Sequence, residues 1–204
     1  MTSALPRLQA AERRLTRRVA GWDALWARRT LSTVEGAARR TKLWWGVALL
    51  LAVTGGRRGR AAAVAGLTGM AVAEVLSNAV VKQLVARERP PAEWFRADEV
   101  RERPDSSSFP SGHTAAAVAF TAAVTEKWPA AGALCAGAAA ALAVERVHSG
   151  AHYPSDVAAG AAIGLASRAL PHAVPAALRR GGRLVPRAAS VQWPGPGRLW
   201  PWPS

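Results

Sequence analysis

The chain has 204 residues and a formal net charge of +14; half of its residues are apolar, but only 6% are aromatic. That length suits one domain, and the single cysteine, Cys135, excludes an internal disulfide and reads as a small buried apolar residue. Basic residues are segregated into the first forty-odd residues, a middle loop and the tail, separated by long charge-poor runs. A bilayer demands that pattern, and without a nucleic-acid motif the charge points to anionic membrane lipids, not nucleic acid, as partners.

In chain order, Leu8, Leu15, Val19, Trp22 and Trp26 recur at helical spacing among Arg13, Arg14, Arg17, Arg18, Arg28 and Arg29. This predicts an amphipathic helix, lying in the membrane interface or packed on the protein, and not a cleavable signal peptide. Ser32 and Glu35 have capping-box spacing, so a second helix is expected there, carrying Arg39, Arg40 and Lys42 towards an aromatic belt at Trp44 and Trp45. The apolar run 43–54 is short of the roughly 20 residues a full crossing takes. A Gly/Arg turn over 55–60 leads into 61–81, a convincing membrane helix with Glu74 and Asn78 one turn apart as interior hydrogen-bonding groups.

Residues 82–109 are polar and irregular; apolar segments follow over 113–128, 130–144 and 154–170. Gly160 and Gly164 form a small-xxx-small pair of the kind that lets helices approach closely in lipid. The tail is basic, then rich in Pro, Gly and Trp. The expected fold is all-α: an integral-membrane bundle of four to five transmembrane helices with an N-terminal amphipathic interfacial helix. The expected divisions are a basic N-terminal segment 1–42, a membrane-embedded domain 43–172 and a tail 173–204, in a multi-pass protein of the cell membrane.

Three clusters of reactive polar residues stand at the ends of apolar segments. Lys82, Arg89 and Pro90 follow one; Pro110-Ser111-Gly112-His113 opens the next; Arg146, His152 and Asp156 occupy the link before the last. If the helices between them each cross once, an even number of crossings brings all three to the same membrane face, beside lipid headgroups. Lys82, Arg89 and Arg146 supply the positive charge that a phosphate dianion requires, and Ser111 and Gly112 at a helix start offer a hydroxyl and backbone N–H groups. His113 and His152 suit a two-step displacement in which one attacks phosphorus and the other protonates the leaving oxygen. Asp156, four residues after His152, is spaced to hold that imidazole in its nucleophilic tautomer. With guanidinium groups carrying the charge, no metal or other cofactor is expected.

Lys82-x6-Arg89-Pro90, Pro110-Ser111-Gly112-His113 and Arg146-x5-His152-x3-Asp156 resemble the three signature motifs of the type 2 phosphatidic acid phosphatase superfamily, which also contains glucose-6-phosphatase and the vanadium haloperoxidases. The resemblance covers roughly residues 77–164. It implies a helical bundle with the site at its end, His152 as nucleophile, Asp156 as its partner and His113 as general acid. It also implies that Lys82, Arg89, Ser111, Gly112 and Arg146 hold the phosphate of a lipid substrate: a polyprenyl (di)phosphate, a prenyl-phosphate-linked sugar phosphate, phosphatidate or phosphatidylglycerol phosphate. One departure stands out, because Glu145 occupies the place of the family's usual serine; it either pairs with Arg146 or points away.

His148 and His152 have the spacing of a metal pair, but no zinc motif completes it, so His148 is expected to line the pocket. Arg87, Arg96, Arg101 and Arg103 read as a solvated basic loop ahead of the alternative that they meet an anionic substrate, residues 105–108 as a flexible run and His172 as interfacial. Rival functions are a non-catalytic membrane scaffold and a vanadate-dependent haloperoxidase. If 43–54 crosses once, the N-terminal arginines and the site share a face, which the positive-inside rule assigns to the cytoplasm; otherwise the site points outward.

Overall fold

The computed structural model describes residues 4–22, 24, 29–31, 33, 36, 41–96 and 106–168. Trp26, Ser32, Glu35, Arg101, Arg103, Asp105, His172 and the tail lie outside the described residues. The described elements are helical, with no strand among them: α1 (Ala4–Ala20), α2 (Lys42–Thr54), α3 (Gly56–Glu74), α4 (Gly112–Lys127), α5 (Pro129–His148) and α6 (Pro154–Ser167). A π-helical stretch, Val75–Val81, continues α3 into a last turn, Lys82–Leu84.

Local chemistry explains the boundaries. The apolar run of α2 stops at Gly55 and Gly56, the latter at φ 56°, and the chain reverses into α3. Ser111 caps α4 by accepting from the Thr114 N–H, and Pro129 and Pro154 stand in the first turns of α5 and α6, where a missing N–H costs nothing.

α4 lies at the centre, buried along Ala115, Ala116, Ala119, Phe120, Ala123 and Val124, and packs on α3, α5 and α6. Trp44 of α2 meets Phe120 with ring centroids 5.2 Å apart. Against α6 the approach is closer still. A Cβ on Gly160 would lie 2.4 Å from the Ser111 carbonyl oxygen, and one on Gly164 2.6 Å from that of Ala115. The small pair expected from the sequence is therefore the α4–α6 contact. Gly160→Val is expected to force these helices apart at a cost of about 1–3 kcal/mol or more. The check is the thermal unfolding midpoint in detergent, with the exposed neighbour Ala162→Val as the control that leaves it in place.

By length and composition, two of the described helices are able to cross a bilayer: Gly56–Leu84 and Pro129–His148. The others fall short of the roughly 20 residues a full crossing takes, with 13 residues in α2, 16 in α4 and 14 in α6. α1 packs on α5 and α6, and its docking face is polar: Thr16 is fully buried and Glu12 half-buried, whereas Leu8 and Leu15 are exposed. At the far end of the bundle the Arg58 Nε donates to the Lys127 carbonyl at 2.7 Å.

Candidate active site

Five segments converge at the end of the bundle opposite Lys127. The turn that follows the π-helical stretch delivers Lys82, the loop after it Arg89, the start of α4 Gly112 and His113, the last turn of α5 Arg146, and the link before α6 His152. Together with Thr41, Glu74, Asn78 and Ala151, these six residues line one cavity of about 240 Å³. Ser111 and Asp156 are fully buried and do not line it: the Ser111 hydroxyl lies 2.9 Å from that of Thr114, and Asp156 sits behind the His152 ring.

The His152 ring is held from behind. Its Nδ1 lies 2.6 Å from the Ser108 carbonyl oxygen, which can only accept, so Nδ1 carries the proton and Nε2 keeps the lone pair. Asp156 Oδ2 is 3.8 Å from the same Nδ1, beyond hydrogen-bond range, and instead accepts from the Tyr153 N–H at 2.8 Å. Direct orientation of His152 by Asp156, as the spacing suggested, is thus replaced by a backbone carbonyl with the carboxylate adjacent. Burial holds the His152 imidazolium below its ordinary range, Arg89 adding to the effect while Asp156 and the Ser108 carbonyl oppose it. The ring is neutral at pH 7.

The segment expected to be flexible is tied down where it is described. The Ser107 hydroxyl donates to the Val85 carbonyl at 2.8 Å, and the Ser108 N–H to that of Arg87 at 2.9 Å. Arg89 bridges Ser106 and Ala151 through their carbonyls, at 3.0 and 2.5 Å. Glu145 is buried and bonded to the Arg146 Nε, which settles its ambiguity: it pairs. The pair neutralises a buried charge and fixes the guanidinium plane at the cavity wall. His148 does not line the cavity as expected, because its Nε2 turns to the Trp22 carbonyl at 3.2 Å, at the end of α1. Among the described residues no cluster of three His, Cys, Asp or Glu side chains is placed to hold a metal.

Sequence reasoning undervalued Glu74 and Asn78, which face the cavity. The available signal was their spacing: Glu74, Asn78 and Lys82 follow at intervals of four. In an α-helix such residues drift by about 40° per step; the wider π turn draws them back towards one line, and such stretches gather at functional sites. Gly112 closes on them, since a Cβ there would come within 2.7 Å of Asn78 Oδ1. Arg87, expected in a solvated basic loop, is instead drawn into the protein by ion pairs that the sequence did not signal. Its Nη1 donates to Asp156 Oδ1 at 2.5 Å and to the Ser155 hydroxyl at 2.6 Å, its Nη2 to Glu12 Oε2 at 2.7 Å, and its guanidinium stacks 4.4 Å from the Tyr153 ring centroid.

Residues 62–179 match the PAP2 superfamily. Over 124 residues the chain is 40% identical to decaprenylphosphoryl-5-phosphoribose phosphatase of Mycobacterium tuberculosis, with the same figures in two strains. That alignment takes in 59% of this chain and 65% of the relative, so the chain spans just under two thirds of the protein it matches. Among solved structures, the first transmembrane PAP2 type phosphatidylglycerolphosphate phosphatase from Bacillus subtilis superposes with a TM-score of 0.59 at 18% identity, covering 89% of each chain. Aquifex aeolicus LpxE superposes with a TM-score of 0.54 at 19% identity, over 77% of this chain and 92% of its own. At these identities the likeness is one of fold.

Proposed function

The chain belongs to the PAP2 superfamily, and from that premise we propose that it is a multi-pass membrane phosphatase that hydrolyses a lipid phosphate through a phosphohistidine. The observation that carries the reading is the single cavity lined by Lys82, Arg89 and Arg146 together with both histidines. The His152 Nε2 lone pair attacks phosphorus, and the P–O bond to the lipid alcohol breaks as His113 gives the leaving oxygen its proton. Burial and the three cations hold the pKa of His113 in the free protein down to about 4; the bound phosphate dianion, by offsetting those cations, protonates His113 in the substrate complex. His113 then takes a proton from water, which attacks the phosphoenzyme and releases inorganic phosphate and free His152. The three cations and the backbone at the start of α4 stabilise the charge on the equatorial oxygens, so the proposed reaction is metal-independent.

Within this class the geometry favours a phosphorylated sugar carried on a prenyl phosphate. Glu74 and Asn78 line the phosphate cavity. A carboxylate there accepts hydrogen bonds from sugar hydroxyls and repels the second phosphate of a diphosphate. The name of the Mycobacterium tuberculosis relative, a phosphatase of a prenylphosphoryl pentose phosphate, agrees with that preference. The polar docking of α1 beside the site sets its arginines on the same face, which the positive-inside rule assigns to the cytoplasm.

The test is phosphate release in EDTA from inside-out and right-side-out vesicles, offered prenylphosphoryl pentose phosphate, polyprenyl diphosphate, phosphatidate and phosphatidylglycerol phosphate. The expected result is EDTA-resistant turnover of the pentose phosphate lipid in inside-out vesicles. Glu74→Gln should raise KM for that lipid about tenfold, the value of one hydrogen bond to a charged group, without slowing the diphosphate. Turnover that needs added metal, or a uniform loss across the panel in the variant, contradicts the reading. No turnover of any lipid favours the scaffold.

A further inference from the structure

Arg87 lies outside the cavity, yet three side chains converge on its guanidinium from two helices. From α6 come Asp156 and Ser155. From α1 comes Glu12, whose other oxygen accepts from the Ser155 backbone N–H at 2.9 Å and from its hydroxyl. Stacking on Tyr153 fixes the guanidinium plane. The fork therefore has fixed sides: Asp156 Oδ1 on one nitrogen, Glu12 Oε2 on the other. Asp156 cannot advance on the His152 ring without leaving Arg87 and the Tyr153 N–H together.

We propose that Arg87 is a positioning residue for the hydrolytic site: shared between Asp156 and Glu12, it holds the Asp156 carboxylate back so that the Ser108 carbonyl takes the His152 Nδ1 proton. The proposal rests on the reading of His152 as nucleophile. It makes α1, more than seventy residues away in the chain, a working part of the site. A carboxylate bonded directly to Nδ1 would stabilise the imidazolium and draw a proton onto Nε2, the atom that must attack. A carbonyl orients the ring and carries no such charge.

The charged groups around His152 fix the sign. Lys82 and Glu74 face it from α3, Arg89 from the loop, His113 from α4, Arg146 from α5 with Glu145 bonded behind it, and Asp156 from α6. Removing the Arg87 charge leaves Asp156 with the imidazole as its nearest cationic partner. Protonation of His152 then becomes easier, and the acid limb of kcat/KM moves to higher pH. Removing the Glu12 charge concentrates Arg87 on Asp156, and the limb moves the other way.

The experiment follows the acid limb in wild type, Arg87→Gln, Arg87→Lys and Glu12→Gln, and titrates the His152 ring by NMR of the nitrogen-labelled full-length protein in detergent. Arg87→Gln should raise the His152 midpoint by about one pH unit, on the scale of a single close charge. It should lower kcat by about ten- to a hundredfold, the loss seen when the outer partner of a metal-bound histidine is removed, with little change in KM. Arg87→Lys should recover part of both, and Glu12→Gln should lower the midpoint. A midpoint unmoved in Arg87→Gln, or moved in the same direction in both neutralised variants, overturns the proposal. If Arg87→Gln does not fold, Arg87→Lys and Glu12→Gln still carry the opposed signs. The ring titration does not need turnover. An inactive wild type with the expected titration shifts defeats the phosphatase reading and leaves the positioning geometry standing.

Discussion

His152→Ala is expected to lose roughly 10⁴- to 10⁶-fold in phosphate release, the scale on which an enzyme loses its attacking group. The ring is nearly inaccessible, its Nδ1 is occupied by the Ser108 carbonyl, and burial keeps it neutral, so Nε2 is a nucleophile at neutral pH without a separate base. The sign of the pH response follows. Because the folded protein holds this imidazole below its ordinary range, the nucleophile survives acidification past pH ~6.5, where a free histidine is half protonated, and activity falls only further down. The same depression costs folding stability as the pH drops below that unfolded value, because the unfolded chain takes up the proton first. The check on mechanism is to quench turnover of phosphorus-labelled lipid. Label should remain on the wild-type protein in alkali and leave it in acid, as a phosphoramidate does, and be missing from His152→Ala. Label bound equally by the variant would remove His152 from the nucleophile's role.

The second large effect belongs to His113, and its size should depend on the leaving group. His113 stands in the first turn of α4, lining the cavity with His152 on the facing link. A lipid alcohol is a poor leaving group, so losing the general acid should cost on the order of 10²- to 10⁴-fold. An aryl phosphate leaves without help. His113→Ala should therefore remain within about tenfold of wild type on p-nitrophenyl phosphate while nearly inactive on the lipid, since the acid's contribution follows the basicity of the departing oxygen. Equal losses on both substrates would recast His113 as a phosphate-holding residue.

What could be seen in the sequence was chemistry confined to helix ends. Lys82, Arg89, Gly112, His113, Arg146 and His152 could be gathered at one site because charged residues in such a chain have few places to go, and the apolar runs between them fix how often the chain turns back. α2, α4 and α6 came out within three residues of their expected bounds for the same reason, whereas the turn expected over 55–60 is taken up into α3 from Gly56 and α5 runs on to His148. What escaped was set by packing. Nothing in the spacing of Glu12 and Arg87 reveals that α1 docks through its polar side, because amphipathicity predicts the opposite. Glu145 could be resolved only by knowing that it is buried, where an unpaired carboxylate is untenable beside a guanidinium. His148 was lost to a backbone carbonyl, an acceptor every residue has and no motif can mark. The π turn left no periodicity of its own, only a run of polar residues four apart whose alignment an ordinary helix would have spoiled.

The brevity of the inner helices has a consequence for the bilayer. At 1.5 Å per residue, the 13, 14 and 16 residues of α2, α6 and α4 reach about 20 to 24 Å, against a hydrocarbon core of about 30 Å. With the Arg58 end level with one headgroup layer, the other end stops several ångströms beneath the opposite one. On the multi-pass reading proposed above, lipid there would thin to meet it, forming a dimple around the exposed Leu8 and Leu15 and the arginines of α1. The lipid phosphate of that reading would then meet Lys82 and Arg89 from the rim of the dimple, moving in the plane of the membrane with its tail still in hydrocarbon.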